Sequence, residues 1–335
     1  MQKLPIGISS FEVLRTRDFV YVDKTEGIHQ LITEGIYYFL ARPRRFGKSL
    51  LVSTLRCLFQ GRRELFDGLW IAEPGRWDWT PHPVVVIDFN QARLDSPEQL
   101  EASLLYQLDQ HAAAAGVTLR APSYVLRFGE LLIALAQQTQ QAVVVLIDEY
   151  DKPLVEHLGR GEAEWDVARA NRDILHSFFG VLKGADVTDV TRFVLLTGVS
   201  RFSRVSVFSA LNNLNDLSMQ EDYATLLGYT EAELDRYFQP HLARLAEKLA
   251  SSAAETRAAL ARQYNGYRFS EGPHRVYNPF SVLSALQNAP SIPTGSRPAR
   301  RHFSSTCCAN ASTTYRNWLA WRPTPRCLAH LTWSG

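Results

Sequence analysis

Residues 36–50 read IYYFLARPRRFGKSL, and the fold turns on this stretch. Its first five residues are aromatic or branched aliphatic, the composition of a short buried strand. From residue 49 to 60, Leu50, Leu51, Leu55, Leu58 and Phe59 recur at helical spacing. Between them lies a loop of proline, arginines and glycine. Strand, loop and helix in this order are the setting of a phosphate cradle, in which backbone N–H groups and a helix N-terminus face the anion. Gly47 lets the backbone approach closely, Lys48 has the reach for β and γ phosphates, and Ser49 offers a hydroxyl to Mg²⁺. Arg44, Arg45, Phe46 and Leu50 complete the candidate cofactor-binding set. The common pattern, G-x-x-x-x-G-K-[ST], has glycine where this chain has Arg42. FGKS alone would signify only a helix start with a surface lysine.

The weight comes from a second segment, VVVLIDEYD at residues 143–151. Five apolar residues precede Asp148, as in a buried strand that ends in a carboxylate. Asp148 is the candidate to hold the Mg²⁺ shell, and Glu149 beside it the candidate general base that polarises a water. Acids at strand ends also cap the following helix. That accounts for one acid, and less well for a pair in the same sheet as a lysine loop. Asp151 reads as an ordinary loop residue.

Residues 191–196, TRFVLL, form another strand, followed by Thr197 and Gly198. In many nucleotide-hydrolysing sheets this strand lies between the other two and ends in a polar residue that contacts the γ-phosphate or water. Thr197 is the first candidate and Ser200 the second. Arg201 and Arg204 suit transition-state charge, or are equally well read as solvated arginines.

Residues 83–89 (PVVVIDF) give one more strand, and 97–115, 124–140 and 165–183 read as helices, with a loop at 152–153. Strands written as continuous Val/Ile/Leu runs and alternating with helices predict an α/β fold. The sheet is parallel, of the P-loop NTPase type, and sandwiched by helices. Functional residues then gather at the carboxyl ends of the strands. After residue 215 the texture changes: 230–250 and 253–264 read as two amphipathic helices of a small C-terminal helical subdomain. The expected division is a core at 1–215, a helical part at 216–290 and a tail at 291–335.

The chain resembles the AAA-ATPase-like proteins that usually continue into a PD-(D/E)XK nuclease-like domain. The resemblance is carried by LPIGISSFEVLRTRDFVYVDKT, FLARPRRFGKSLLVSTL, PVVVIDF, VVVLIDEYDKPL, FVLLTGVSRFSRVSVFSALNNL, YNGYRF and VYNPFSVLSAL, spanning about residues 4–288. It implies that Lys48 and Ser49 serve phosphate and Mg²⁺, that Asp148 and Glu149 are the acidic half, and that residues 19–24 lie near the base or ribose of ATP. Arginine at position 42 belongs to this family's version of the loop.

Composition bounds the rest. A hydrophobic share of 46% with 21% charged residues describes a globular chain, and no apolar run approaches the ~20 residues of a membrane helix. The start lacks a secretory leader, so the cytoplasm is the expected compartment. Net charge is +2, but residues 291–335 hold six arginines and no acid. The remaining residues, 30 basic against 34 acidic, do not suit a nucleic-acid surface. Cys307 and Cys308 are adjacent, a spacing that fits no zinc site.

The tail is expected to be disordered and out of frame. GC-rich synonymous codons for it, read one base over, yield YWFATGTPAFL within an acid-containing amphipathic sequence like the family's continuation. The nuclease-like domain is then missing, and nucleic acid is a partner only through that missing domain. An Mg²⁺-dependent ATPase module is the leading reading. The alternatives are a non-hydrolysing nucleotide-binding regulator and a nucleic-acid binder acting through the basic tail.

Overall fold

The computed structural model describes residues 1–92, 94–157, 161–200, 211 and 213–288. Residues 291–335, and with them the expectation of a frameshifted tail, lie outside the described residues.

Five parallel strands form one sheet: β1 (Tyr37–Ala41), β2 (Val84–Asp88), β3 (Val143–Asp148), β4 (Thr191–Gly198) and β5 (Asn215–Asp216), in the order β2-β3-β4-β1-β5. The parallel α/β fold expected from the sequence is therefore present. The interior strand β3 is buried along its whole length. Each apolar side chain so buried contributes about 1.5–3 kcal/mol, which explains an unbroken Val/Leu/Ile run. At the edge, β2 buries only Val85 and Ile87 deeply, although its sequence is equally apolar.

Alternate strand residues face opposite layers. Phe39, Val85, Val145 and Leu196 pack under α4 (Pro97–Ala115), α5 (Tyr124–Thr139) and α7 (Glu162–Gly180). Tyr38, Leu40, Val144 and Leu195 pack under α1 (Phe11–Thr16), α2 (Thr25–Glu34) and α3 (Lys48–Phe59). The free edge of β2 is covered by side chains of α4: Gln107 accepts the N–H of Asp88, and His111 sits against Val86. Such cover removes a ready template for strand addition.

Two expected boundaries change. The sequence predicts a loop at residues 152–153, yet α6 (Lys152–Val155) starts there, because proline is tolerated in a first helical turn. Residues 230–250 form two helices, α9 (Glu231–Tyr237) and α10 (Gln239–Lys248). Pro240 cannot sit inside one continuous helix, but fits the first turn of a second. The short α8 (Ala185–Thr188) precedes β4. With α11 (Ala253–Tyr264) and α12 (Pro279–Asn288), helices α9 and α10 build a separate apolar cluster around Phe238, Leu245, Leu260 and Val282. Val20 and Val22, from the start of the chain, belong to that cluster too. Capping boxes at Thr230/Glu233 and Ser252/Glu255 begin α9 and α11.

Candidate nucleotide site

Because every strand runs the same way, the ends of β1, β3 and β4 lie along one edge of the sheet. β4 sits between β1 and β3, so the loop at residues 42–47, the acids after β3 and Thr197 become neighbours.

The loop turns with Arg45 at φ 65° and Gly47 at φ 97°. The second is a left-handed conformation that glycine adopts without strain. No side chain caps the start of α3, whose first residues line a cavity of about 320 Å³. That volume is within the roughly 300–1,000 Å³ of small-molecule sites. The buried Lys48 ammonium donates to the carbonyls of Arg42 (3.1 Å) and Pro43 (3.4 Å) and pairs with Glu149 at 3.1 Å. Arg45, Phe46, Gly47, Ser49, Leu50 and Glu149 also line the cavity. Arg44 is exposed and takes no part in its wall. The remaining wall is largely apolar and includes Val20, Val22, Leu226, Tyr229 and Leu283. Lys24 on that wall is held by Glu233 and the carbonyl of Thr225 (2.8 Å), and burial lowers its pKa against the raising effect of Glu233.

Behind Ser49 stands Asp148. Its carboxylate receives the Thr197 hydroxyl at 2.5 Å and a hydrogen bond from the Ser49 side chain. Burial pushes its carboxyl above the usual range; the two hydroxyls oppose this, and the nearby Glu149 and Asp88 add to it. Glu149 occupies φ 54°, a left-handed conformation unusual for a residue with a Cβ.

Asp151, read from sequence as an ordinary loop residue, is 1% exposed. Its carboxylate accepts the backbone N–H groups of Val199 (3.1 Å) and Ser200 (2.6 Å), while the Tyr150 hydroxyl donates to the Ser200 carbonyl at 2.9 Å. The acid turn and the end of β4 are thereby locked together. Burial raises the Asp151 carboxyl against the effect of the Ser200 amide. Gly198 is where this lock leaves no space: an added Cβ would lie 2.5 Å from Tyr150 and 2.6 Å from Asp151. Gly198→Ala is expected to cost about 1–3 kcal/mol, as overpacking does, read as a lower denaturant midpoint with an unchanged slope. A midpoint equal to wild type would show that the turn gives way freely. Arg201 and Arg204 lie outside the described residues.

Residues 5–208 match the family model described as "Predicted AAA-ATPase". The chain belongs to the AAA-ATPase-like family. Membership of this AAA-ATPase-like family implies nucleotide binding. A curated relative, "Uncharacterized protein in vnfD 5'region" from Azotobacter chroococcum mcd 1, is 42% identical over 288 residues, 85% of this chain and 52% of the relative. The chain thus spans about half the length of the curated relative it matches. No solved structure matches it. Among the described residues no helix is long and apolar enough to cross a membrane.

Sequence reasoning took Arg42 only as a departure from the common loop and Asp151 only as a loop residue, and it passed over Tyr150 and the apolar wall at Leu226 and Tyr229. The aromatic motifs YNGYRF and VYNPFSVL were the available signal, since a cluster of buried-type aromatics after a complete α/β core must pack against something.

Proposed function

We propose that this AAA-ATPase-like chain binds ATP with Mg²⁺ at the carboxyl edge of its sheet and hydrolyses the β–γ bond. The carrying observation is the convergence of Lys48, Ser49, Asp148, Glu149 and Thr197 on one edge, beside a cavity with an uncapped helix start. Lys48 takes the β and γ phosphates together with the first N–H groups of α3. The apolar wall around Val20, Val22 and Tyr229 suits a flat base, which agrees with residues 19–24 lying near base or ribose.

The residues fit Mg²⁺. Asp148 is buried beside the hydroxyls of Ser49 and Thr197, which are hard oxygen donors, and Glu149 and Asp88 add negative charge to its surroundings. Among the described residues there is no cluster of three or more His, Cys, Asp or Glu side chains for a metal. A cation shared with substrate phosphates needs no such cage. Ser49 and Asp148 would hold the ion, and Thr197 would orient Asp148. When bound, Mg²⁺ neutralises charge on the β and γ phosphate oxygens. Glu149 takes the proton as the water oxygen bonds to the γ phosphorus and the bridging oxygen leaves with ADP. Arg201, from its place in the sequence, is the candidate for transition-state charge.

Asp148→Asn tests the metal half. Titrations of ATP with and without Mg²⁺ should lose the metal-dependent gain in affinity, about 10–100-fold for a charge-assisted contact. The fold should not suffer. A buried carboxyl with a raised pKa binds its proton more readily folded than unfolded, so its ionised form costs stability above the folded pKa, and the cost fades as pH falls through it. At neutral pH the asparagine variant should melt no lower than wild type. An Mg²⁺ effect that survives the substitution would remove Asp148 from the metal site.

A further inference from the structure

Arg42 stands where the common loop has glycine, and the chemistry above does not use its side chain. The guanidinium is buried. It donates to the carbonyls of Ala41 (3.0 Å), Ser218 (2.9 Å) and Tyr223 (3.0 Å), and its carbon lies 4.0 Å from the centroid of the Phe269 ring. The backbone of the same residue faces the site. Its N–H donates to the Gly198 carbonyl at 3.0 Å, and its carbonyl receives the Lys48 ammonium at 3.1 Å.

The side chains of neighbouring loop residues are also held by residues late in the chain. The Phe46 ring packs edge-on against Tyr267 (4.8 Å) and Phe269 (5.2 Å). The Arg45 guanidinium lies 4.0 Å from the centre of Phe280. The loop's side chains are thus held by Ser218, Tyr223, Tyr267, Phe269 and Phe280, and Arg45, Phe46 and Phe280 line the cavity as well. All five holding residues follow residue 208, where the family match ends.

We propose that Arg42 is a positioning residue for the phosphate-binding lysine, and that residues 217–280 complete the nucleotide site by fixing it. This rests on the phosphate role of Lys48. An ammonium on a flexible stem is directed by the acceptors that hold it. The Arg42 carbonyl is such an acceptor only while the backbone at residue 42 is pinned. The planar fork pins it at three carbonyls and one ring face. A lysine at position 42 keeps the charge but cannot span three carbonyls and stack flat on the ring.

The test uses the full chain, with MgATP and AMP as probes. AMP has no β or γ phosphate and does not depend on Lys48. In Arg42→Lys, affinity for MgATP should fall about 10–100-fold, the worth of a charge-assisted contact, while affinity for AMP stays within twofold of wild type, about 0.4 kcal/mol. Phe269→Leu, which removes the ring face and keeps apolar volume, should shift the ratio in the same direction by less. Phe269→Tyr should restore it. A merely structural role would lower the melting temperature and weaken both nucleotides alike. Folded Arg42→Lys and Phe269→Leu proteins with the wild-type ratio of affinities would overturn the proposal. If Arg42→Lys does not fold, the two Phe269 variants decide. A wild-type chain that does not prefer MgATP to AMP would fail earlier, and that result would sink the phosphate-site reading itself.

Discussion

Glu149→Gln is expected to keep MgATP bound and to lower turnover by about 10²–10⁴-fold, the usual contribution of a positioned general base. The glutamate follows the buried strand β3, lines the cavity and reaches the Lys48 ammonium at 3.1 Å. Glutamine has nearly the same shape but does not accept a proton from water. It also withdraws a negative charge from beside the phosphates. Lys48 keeps its contacts to the carbonyls of Arg42 and Pro43 and loses a competitor for its charge. Binding should therefore be equal or tighter, while single-turnover hydrolysis slows. The left-handed backbone at Glu149, φ 54°, costs of order 1 kcal/mol for a residue with a side chain. Glutamine bears the same cost, so a stability change cannot account for the lost rate. Normal turnover in the variant would remove Glu149 as the base. A wild-type chain that binds MgATP and hydrolyses it only at background rate would favour the regulatory reading, in which the Lys48–Glu149 pair holds the acid away from water.

Much of this candidate site was legible because each motif proposed for its chemistry is local in sequence. Lys48 follows Gly47 in a strand–loop–helix setting, and Asp148 ends a run of apolar residues. Neither inference needs a long-range contact. The sheet was legible for the same reason: five consecutive residues of β3 are buried on both faces, and only a fully covered strand tolerates that. The helices at Pro97–Ala115 and Ala253–Tyr264 carry clear starts, with serine at each N-cap.

What stayed hidden is what distant segments do for the loop. The carbonyl partners of the Arg42 guanidinium on Ser218 and Tyr223 lie 176 and 181 residues away, and no local pattern announces them. The same holds for Asp151, whose amide partners come 48 and 49 residues later. A carboxylate in a loop looks solvated until a neighbouring strand buries it. The apolar wall of the cavity is shared by Val20, Val22, Leu226, Tyr229 and Leu283, residues near opposite ends of the described chain. Helix α12 was not assigned from its sequence because its apolar residues read first as an aromatic motif, and its helical spacing gained meaning only from packing against α10 and α11.

Lys48→Ala is expected to lower MgATP affinity by roughly 10²-fold or more, the loss of one to two charge-assisted hydrogen bonds at about 1.5–3 kcal/mol each. The ammonium is 3% exposed, and among the described residues its hydrogen-bond and ion-pair partners are the loop carbonyls of Arg42 and Pro43 and the carboxylate of Glu149. Alanine removes the positive charge and leaves Glu149 facing an incoming triphosphate with its own charge unopposed. Part of the loss is therefore repulsion from Glu149, and the double variant Lys48→Ala/Glu149→Gln separates the two. It should regain part of the affinity for MgATP and none of the turnover. AMP, which lacks the phosphates that Lys48 meets, should bind the single variant and the wild type alike. Calorimetry on the four proteins gives the cycle directly, and the coupling should be well above the ~0.5 kcal/mol scatter of independent sites. Equal MgATP affinity in wild type and Lys48→Ala would show that the lysine serves only the fold, as a buried cation paired with Glu149, and the nucleotide would have to be sought elsewhere on the chain.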